Sequence, residues 1–446
     1  MNFDTFILIL WLVVFSLVYR KFRDPRAYLL TNLLGAWLFL PESAVALPLL
    51  PDLTKYTVFS ISALVSTSLF GRSDSSKLKI RKWDWPILVY CTIPIFTSLE
   101  NGLGLWDGVS ASLNTYLIWG VPYFLARKHF RTIGDLKFML QGLVAAAVVY
   151  LPFMWFEVVM SPSLHQYVYG SNQSSMVQHL RYGGWRPKVF MQHGLMVALF
   201  VSISILAAFA VRIADKKNRI MRVRSSVIEK ILMITVVFAC KSGNGFIIMV
   251  MAILARLMTK AGMAKVLLLA LIFIIAGYLT ARVSGYWDGI ELINKVESIS
   301  GDAQRAGSLG ARIKQENLFL ERAEEKWLFG WGGWGRAFPV DEYGFRLTRG
   351  VDSLWIIMYS QNGVIALISF FWMFLAVPYV IATRVRKMAL DTKERSFIYM
   401  ASFIPVFVMI DSLANSMLFP YYFMVVGSLT SVIIDIQSRR PRELNN

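Results

Sequence analysis

The chain has 446 residues, is 56% hydrophobic with a mean hydropathy of +0.53, and carries 46 Lys and Arg against 28 Asp and Glu. Its apolar runs have the roughly 17–25 residues needed to cross a bilayer as helix, which argues against a soluble globular protein, and they lack the period-2 alternation of a membrane β-barrel. Cys91 and Cys240 both fall inside apolar segments, so no disulfide framework or redox role is indicated.

From the N-terminus, the run Phe6–Val18 follows Asp4, has no basic region before it and no small-residue cleavage pattern after it, and reads as a retained span. Spans are expected over 3–19, 27–49, 54–70, 85–98, 112–126, 138–157, 189–211, 230–241, 245–258, 266–283, 352–382, 397–412 and 415–434. The fold class is therefore an all-α polytopic membrane protein with about 13 transmembrane helices, or 12–14, since the short 230–241 and 245–258 fit either two spans or a re-entrant pair. Residues 1–446 read as a single transmembrane domain with two long connections, a first loop over 158–188 and a large loop over 284–351.

Basic clusters at 20–26, 72–82, 127–137, 212–230, 256–265, 384–395 and the C-terminal tail fall on every second connection. That side holds 31 of the 46 Lys and Arg, and net charge divides into about +21 there and −3 opposite. By the positive-inside rule it is cytoplasmic, with the N-terminus and both long loops outside and the C-terminus inside. The high pI thus describes anionic membrane lipids facing a basic surface, and no nucleic acid partner is expected.

Six basic residues lie outside this pattern before the large loop: Lys55, Arg181, Arg186, Lys188, Lys241 and Arg282. Each by itself reads as a side chain snorkelling to the headgroups; together they read as an anion site. The large loop adds Arg305, Arg312, Arg322, Arg336, Arg346 and Arg349, nearly all arginine, whose planar fork suits phosphate oxygens. A pyrophosphate ester is the natural ligand. Within this loop an amphipathic helix is expected from about Ser308, its charged face Glu316–Lys326 solvated through i,i+4 pairs. The segment "GWGGWG" (330–335) satisfies G-x-G-x-x-G literally but has neither the preceding strand nor the following helix of a dinucleotide site, and reads as tight turns.

Asp352, at the entrance of a span, is either a helix cap or, with arginines beside it, a general base. The four histidines His129, His165, His179 and His193 are too scattered for a metal set, so neither a metal nor another cofactor is expected. His193, following Arg181 and Arg186, is either a hydrogen-bonded helix-end residue or a catalytic group.

Over about residues 175–370 the chain resembles the superfamily of O-antigen ligases and Wzy-type polysaccharide polymerases of the bacterial inner membrane. The resemblance rests on the arginine-bearing loop leading to "FMQHG", the "KSGNG" turn Lys241–Gly245, the run of Arg312, Trp327, Gly330, Gly332 and Gly335, and "DSLWIIMYSQNGVIAL" (352–367). It implies a GT-C type fold and a metal-independent, inverting transfer of glycan from undecaprenyl pyrophosphate to an acceptor hydroxyl on the periplasmic face. It also implies that Arg181 or Arg186 binds the donor pyrophosphate with help from the large loop. Asp352 stands where the ligases usually have histidine, which favours polymerase over ligase, and Lys241 stands where they usually have arginine.

The residues then expected to act are Asp352, Arg312 and His193 in catalysis, with Arg181, Arg186, Lys188, Lys241, Arg305, Arg346 and Arg349 binding substrate. Trp331, Trp334, Tyr343 and Phe345 are candidates for stacking on sugars. The expected partners are undecaprenyl-pyrophosphate-linked oligosaccharide, the growing polysaccharide acceptor, membrane lipids, and chain-length regulator and export proteins. A lipid-linked oligosaccharide flippase and a scaffold of an export complex are the competing readings. The flippase is disfavoured because no repeated halves are legible and the charges gather at helix ends.

Overall fold

The structure is a computed structural model. It describes residues 3–47, 50–70, 78–170, 179–181, 183–291, 293, 295, 298, 303–333 and 335–443, without the side chains of 50, 303–309 and 439–443. In chain order the elements are α1 (Phe3–Val18), α2 (Pro25–Phe39), β1 (Ala44–Leu47), β2 (Leu50–Thr54), α3 (Lys55–Phe70), α4 (Trp85–Glu100), α5 (Leu105–Thr115), α6 (Val121–His129), α7 (Ile133–Met160), α8 (Leu164–Tyr169), β3 (Leu180–Arg181) and β4 (Gly184–Trp185). There follow α9 (Gly194–Ala214), β5 (Arg219–Ile220), β6 (Val223–Arg224), α10 (Ser225–Phe238), α11 (Gly243–Lys260), α12 (Ala264–Val283), α13 (Ala303–Glu324), α14 (Leu354–Arg384), α15 (Thr392–Ser412) and α16 (Pro420–Glu443).

The protein is thus an all-α membrane protein, with strands only as three short antiparallel hairpins among the described residues. Helix is found within part of each expected span, but of the thirteen expected only seven helical stretches among the described residues are long and apolar enough to cross a bilayer: Phe3–Lys21, Ile133–Met160, Gly194–Ala214, Gly243–Lys260, Ala264–Val283, Leu354–Lys387 and Thr392–Ser412. Several expected boundaries are corrected. The span placed over 27–49 ends at Phe39, because the chain turns into the β1–β2 hairpin, where Ala44 pairs with Thr54. The one placed over 112–126 is α5 and α6 joined through a π-helical turn, Tyr116–Gly120. The large loop's helix begins at Ala303, ahead of Ser308.

Apolar sequence alone does not say which helix is central. Both α1 and α9 are apolar all round, yet only 6% of the hydropathic window of α1 is buried against 94% for α9. The difference is side-chain size. In lipid, helices associate through close backbone approach, which small residues permit. Helix α9 carries Gly194, Ala198, Ser202, Ser204, Ala207, Ala208 and Ala210, and packs against α7, α10, α11 and α15. Gly245 of α11 faces Ala198, and Ser202 Oγ donates to Gly245 O at 2.9 Å. Helix α1, rich in Ile, Leu, Val and Phe, leaves Ile9, Val13 and Leu17 exposed on the surface of the bundle.

Helix α14 is broken at Gly363, whose φ of 72° and ψ of −175° are open to glycine and costly for other residues. The segment 327–332 is wedged there: a β-carbon at Gly363 would collide with Leu328 O, and one at Gly330 with the backbone of Gln361 and Asn362. The polar groups freed by the break are answered by this segment, since Val364 N donates to Trp327 O, Trp331 N to Ser360 O and Gly332 N to Gln361 O, at 2.8–2.9 Å. The glycine run is therefore a docking turn against a discontinuous helix, and it supplies the partners that backbone groups freed from a helix need.

Candidate anion site at one mouth of the bundle

Three chain segments converge where α9 begins. The β3–β4 hairpin carries Arg181 and Gly184, the following loop carries Arg186 and Lys188, and the turn between α10 and α11 carries Lys241. Arg186 N donates to His179 O at 2.8 Å, holding the loop against the histidine. A β-carbon on Gly184 would overlap Lys241 Nζ, so the ammonium lies directly on the hairpin. A β-carbon on Gly194 would lie 2.7 Å from Arg186 Nε, so the guanidinium covers the first residue of α9. Arg181, Arg186, Lys241, His179 and His193 are thus brought together from residues up to 62 positions apart.

His193 is the N-cap of α9, and its Nδ1 accepts from Leu195 N at 3.1 Å. A neutral imidazole that accepts at Nδ1 carries its proton on Nε2. Nε2 lies 3.3 Å from Arg186 Nη2, so two donors face one another. An anionic oxygen placed between them relieves that opposition. Burial, with Arg186, His179, Arg181 and Lys188 nearby, holds the His193 imidazole down to about 4, and His179 likewise to about 4. Burial and Arg181 also push the Arg186 guanidinium down to about 10. Burial is the largest cause of each shift and the neighbouring cations act in the same direction, so the cluster resists adding positive charge.

Lys188 is buried in a different setting. Its ammonium lies in the field of Glu157 and Glu42, and burial pushes it below the usual lysine range. Glu157, at the end of α7, accepts from Leu164 N, Lys188 N and Val189 N at 2.7–3.0 Å and ties the loop to the bundle. Among the described residues no ion pair joins Arg181 or Lys241 to a carboxylate.

Beside this cluster a second set of polar groups meets. Arg312 of α13 pairs with Asp352 at 3.2 Å, and Asp352 is 60% exposed. Asp352 is not the helix cap, since Ser353 takes that position. Arg312 is also within electrostatic range of Asp411, a carboxylate 2% exposed near the end of α15. Asp411 accepts from Asn244 of α11 and from Asn415, the latter at 3.1 Å. Asn244 lies three residues from Lys241, so one turn links the two sets. A cavity of about 340 Å³ opens next to them, lined in part by Tyr56, Gln192, Trp119, Gln361, Asn362 and Ser416. Most of the lining is apolar, with Met196, Leu354 and Met358 among it, and a few hydroxyl and amide groups are set into it.

The remaining expectations fall elsewhere. Arg346 lies over the Phe338 ring at 4.1 Å, and both it and Arg349 are exposed, with no recorded contact to the cluster among the described residues. The Arg305 side chain and Trp334 are outside the described residues. Trp331 is packed under Arg322, 3.4 Å from its ring, with its indole N–H on Arg322 O, whereas Tyr343 and Phe345 are open. Two of the six outer basic residues are structural: Lys55 pairs with Glu42 at 2.5 Å, and Arg282 with Glu316 at 3.1 Å. Glu316, expected on a solvated face, is 3% exposed and also accepts from Tyr278 OH, Ser353 Oγ and Trp355 Nε1. Asp411 was legible as an ionisable residue within an apolar run, a default pointer to function, but its asparagine partners come from distant positions.

No family model, curated protein or solved structure matches this chain. Its chemistry has to be argued from the site.

Proposed function

We propose that the protein is a glycosyltransferase of the bacterial inner membrane that polymerises undecaprenyl-pyrophosphate-linked oligosaccharide units into O-antigen or exopolysaccharide, with this mouth facing the periplasm. The observation that carries the reading is the convergence of Arg181, Arg186, Lys241 and the His193 Nε2–H at the start of α9. Such a cluster suits a pyrophosphate, which is multiply charged and offers oxygens to several donors at once.

In the proposed reaction the acceptor hydroxyl oxygen bonds to the anomeric carbon on the face opposite the leaving group, and the carbon–oxygen bond to pyrophosphate breaks, inverting that centre. The bonding pair departs with the pyrophosphate, whose charge the arginines hold. The hydroxyl proton passes to a carboxylate, for which Asp352 is the accessible candidate and Arg312 its positioning partner. The neighbouring cavity, with Gln192 and Asn362 among its lining, would receive the sugars. His193 fits the role of a neutral donor to the pyrophosphate and not that of a base, because its Nδ1 is committed to the helix cap. A ligase transferring glycan to a lipid A-core acceptor would use the same donor site. Chain-length regulator and export proteins are the partners this reading calls for.

The test is a reaction of the purified protein with undecaprenyl-pyrophosphate-linked oligosaccharide, without nucleotide, read as a ladder on a gel. A ladder lost in Arg181→Ala and Arg186→Ala supports the polymerase; a single transfer to lipid A-core supports the ligase. The discontinuous helix at Gly363 gives the flippase a specific observation in its favour, as transporters build sites on such breaks. Movement of the substrate across proteoliposomes with no product would decide for it.

A further inference from the structure

A second basic site lies at the other mouth of the bundle. Helix α7 has 28 residues and so runs about 42 Å; Glu157 at one end holds the arginine loop, whereas Asp135 at the other pairs with Arg26. At that far end, between the segment entering α4, the end of α6 and the last turns of α16, is a cavity of about 270 Å³. Lys79, Arg81, Lys128, Arg131 and Asp435 line it, and Arg127 forms part of its wall.

The wall and the lining differ in kind. Arg127 is committed within the fold: Nε and Nη2 donate to the Asp84 carboxylate at 2.7 and 3.0 Å, and Nη1 donates to Ser431 Oγ at 2.8 Å. It braces α4, α6 and α16. Among the described residues no ion pair joins Lys79, Arg81, Lys128 or Arg131 to a carboxylate. The lining, with the Asp84 behind it, holds five cations against two carboxylates. Four cations converge on one concave space with a single half-buried acid, Asp435, among them, a balance that favours a phosphate.

Apolar groups border the same site. Leu78 and Ile434 line the cavity, and Leu78, Ile80 and Trp85 are exposed, with Ile80 and Trp85 at 58% and 61%. Leu78 and Ile80 alternate with Lys79 and Arg81, so one short segment offers both cations and hydrocarbon. That pairing is what an anionic lipid presents in mirror image. The volume suits a headgroup and not a whole lipid.

We propose that this cavity binds the phosphate-bearing headgroup of an anionic phospholipid, whose acyl chains lie on Leu78, Ile80 and Trp85. The proposal is independent of the reaction at the opposite mouth. Full-length protein, purified in detergent, would be titrated with phosphatidylglycerol, cardiolipin, phosphatidylcholine and inorganic phosphate, with binding read by native mass spectrometry and by the shift in thermal midpoint. The expected result is retention of the anionic lipids, weak retention of phosphatidylcholine, and an about tenfold or greater loss of anionic binding in the K79Q/R81Q/K128Q/R131Q variant. R181Q, at the other mouth, should bind them as the wild type does. Should the fourfold variant fail to accumulate, K79Q/R81Q and K128Q/R131Q, on separate elements, should each weaken binding several-fold. Saturable binding of inorganic phosphate, with no preference for the lipids, would overturn the lipid and leave a soluble phosphate ester as the occupant. Wild-type binding in the variants, or equal retention of phosphatidylcholine, would overturn the site altogether.

Discussion

Arg282 and Arg186 are both buried arginines at a helix end on the same side of the bundle, and they are served by opposite surroundings. Arg282 meets Glu316, which gathers three further donors, so the charge is neutralised inside the protein and its purpose is to dock α13 onto α12 and α14. Arg186 lies against Arg181 and His193, with its guanidinium over the first residue of α9, so it sits among other cations and a helix N-terminus. A buried cation that is answered within the fold contributes architecture. A cluster of cations gathered from three separate chain segments is a place for an anionic ligand.

This contrast can be broken in two directions. The largest expected effect is Arg282→Ala, which strands Glu316 as an uncompensated buried charge and should cost about 3–5 kcal/mol of stability, read as a fall in thermal midpoint and folded yield. Rate per folded molecule should hold. Arg186→Ala should do the reverse, costing about 10²–10³ in rate with little change in midpoint, the usual loss for one charge-stabilising donor. If both variants lost stability alone, the distinction between the two arginines would collapse.

Asp352→Asn sharpens the chemistry of the site and should lower the rate about 100-fold if the carboxylate takes the acceptor proton. A silent variant would reduce Asp352 to the partner of Arg312. The smallest effect is on pH. His179 and His193, held at about 4 in the fold against about 6.5 unfolded, make the unfolded chain the better proton binder between those values. Their contribution to stability is full above pH 6.5 and falls as pH drops towards 4. Thermal midpoints at pH 7.5 and 5 would check this, and a midpoint that rose on acidification would mean that one of the imidazoles is already charged in the fold.

Hydropathy and length determined by themselves that the chain is helical and membrane-embedded, because a helix satisfies its own backbone and its span is set by residue count. They also marked the arginine loop, the "KSGNG" turn and Asp352, since charge at the border of an apolar run is visible locally. Only the tertiary structure decided which helices are central, because in lipid both faces of a helix read apolar and side-chain size selects contacts. It alone decided that Glu316 and Lys55 are internal partners, that Arg346 rests on Phe338, and that Asp411 joins Asn244 and Arg312. These are pairings between residues far apart in the chain, and a sequence carries no local signal for what lies across a packed interface.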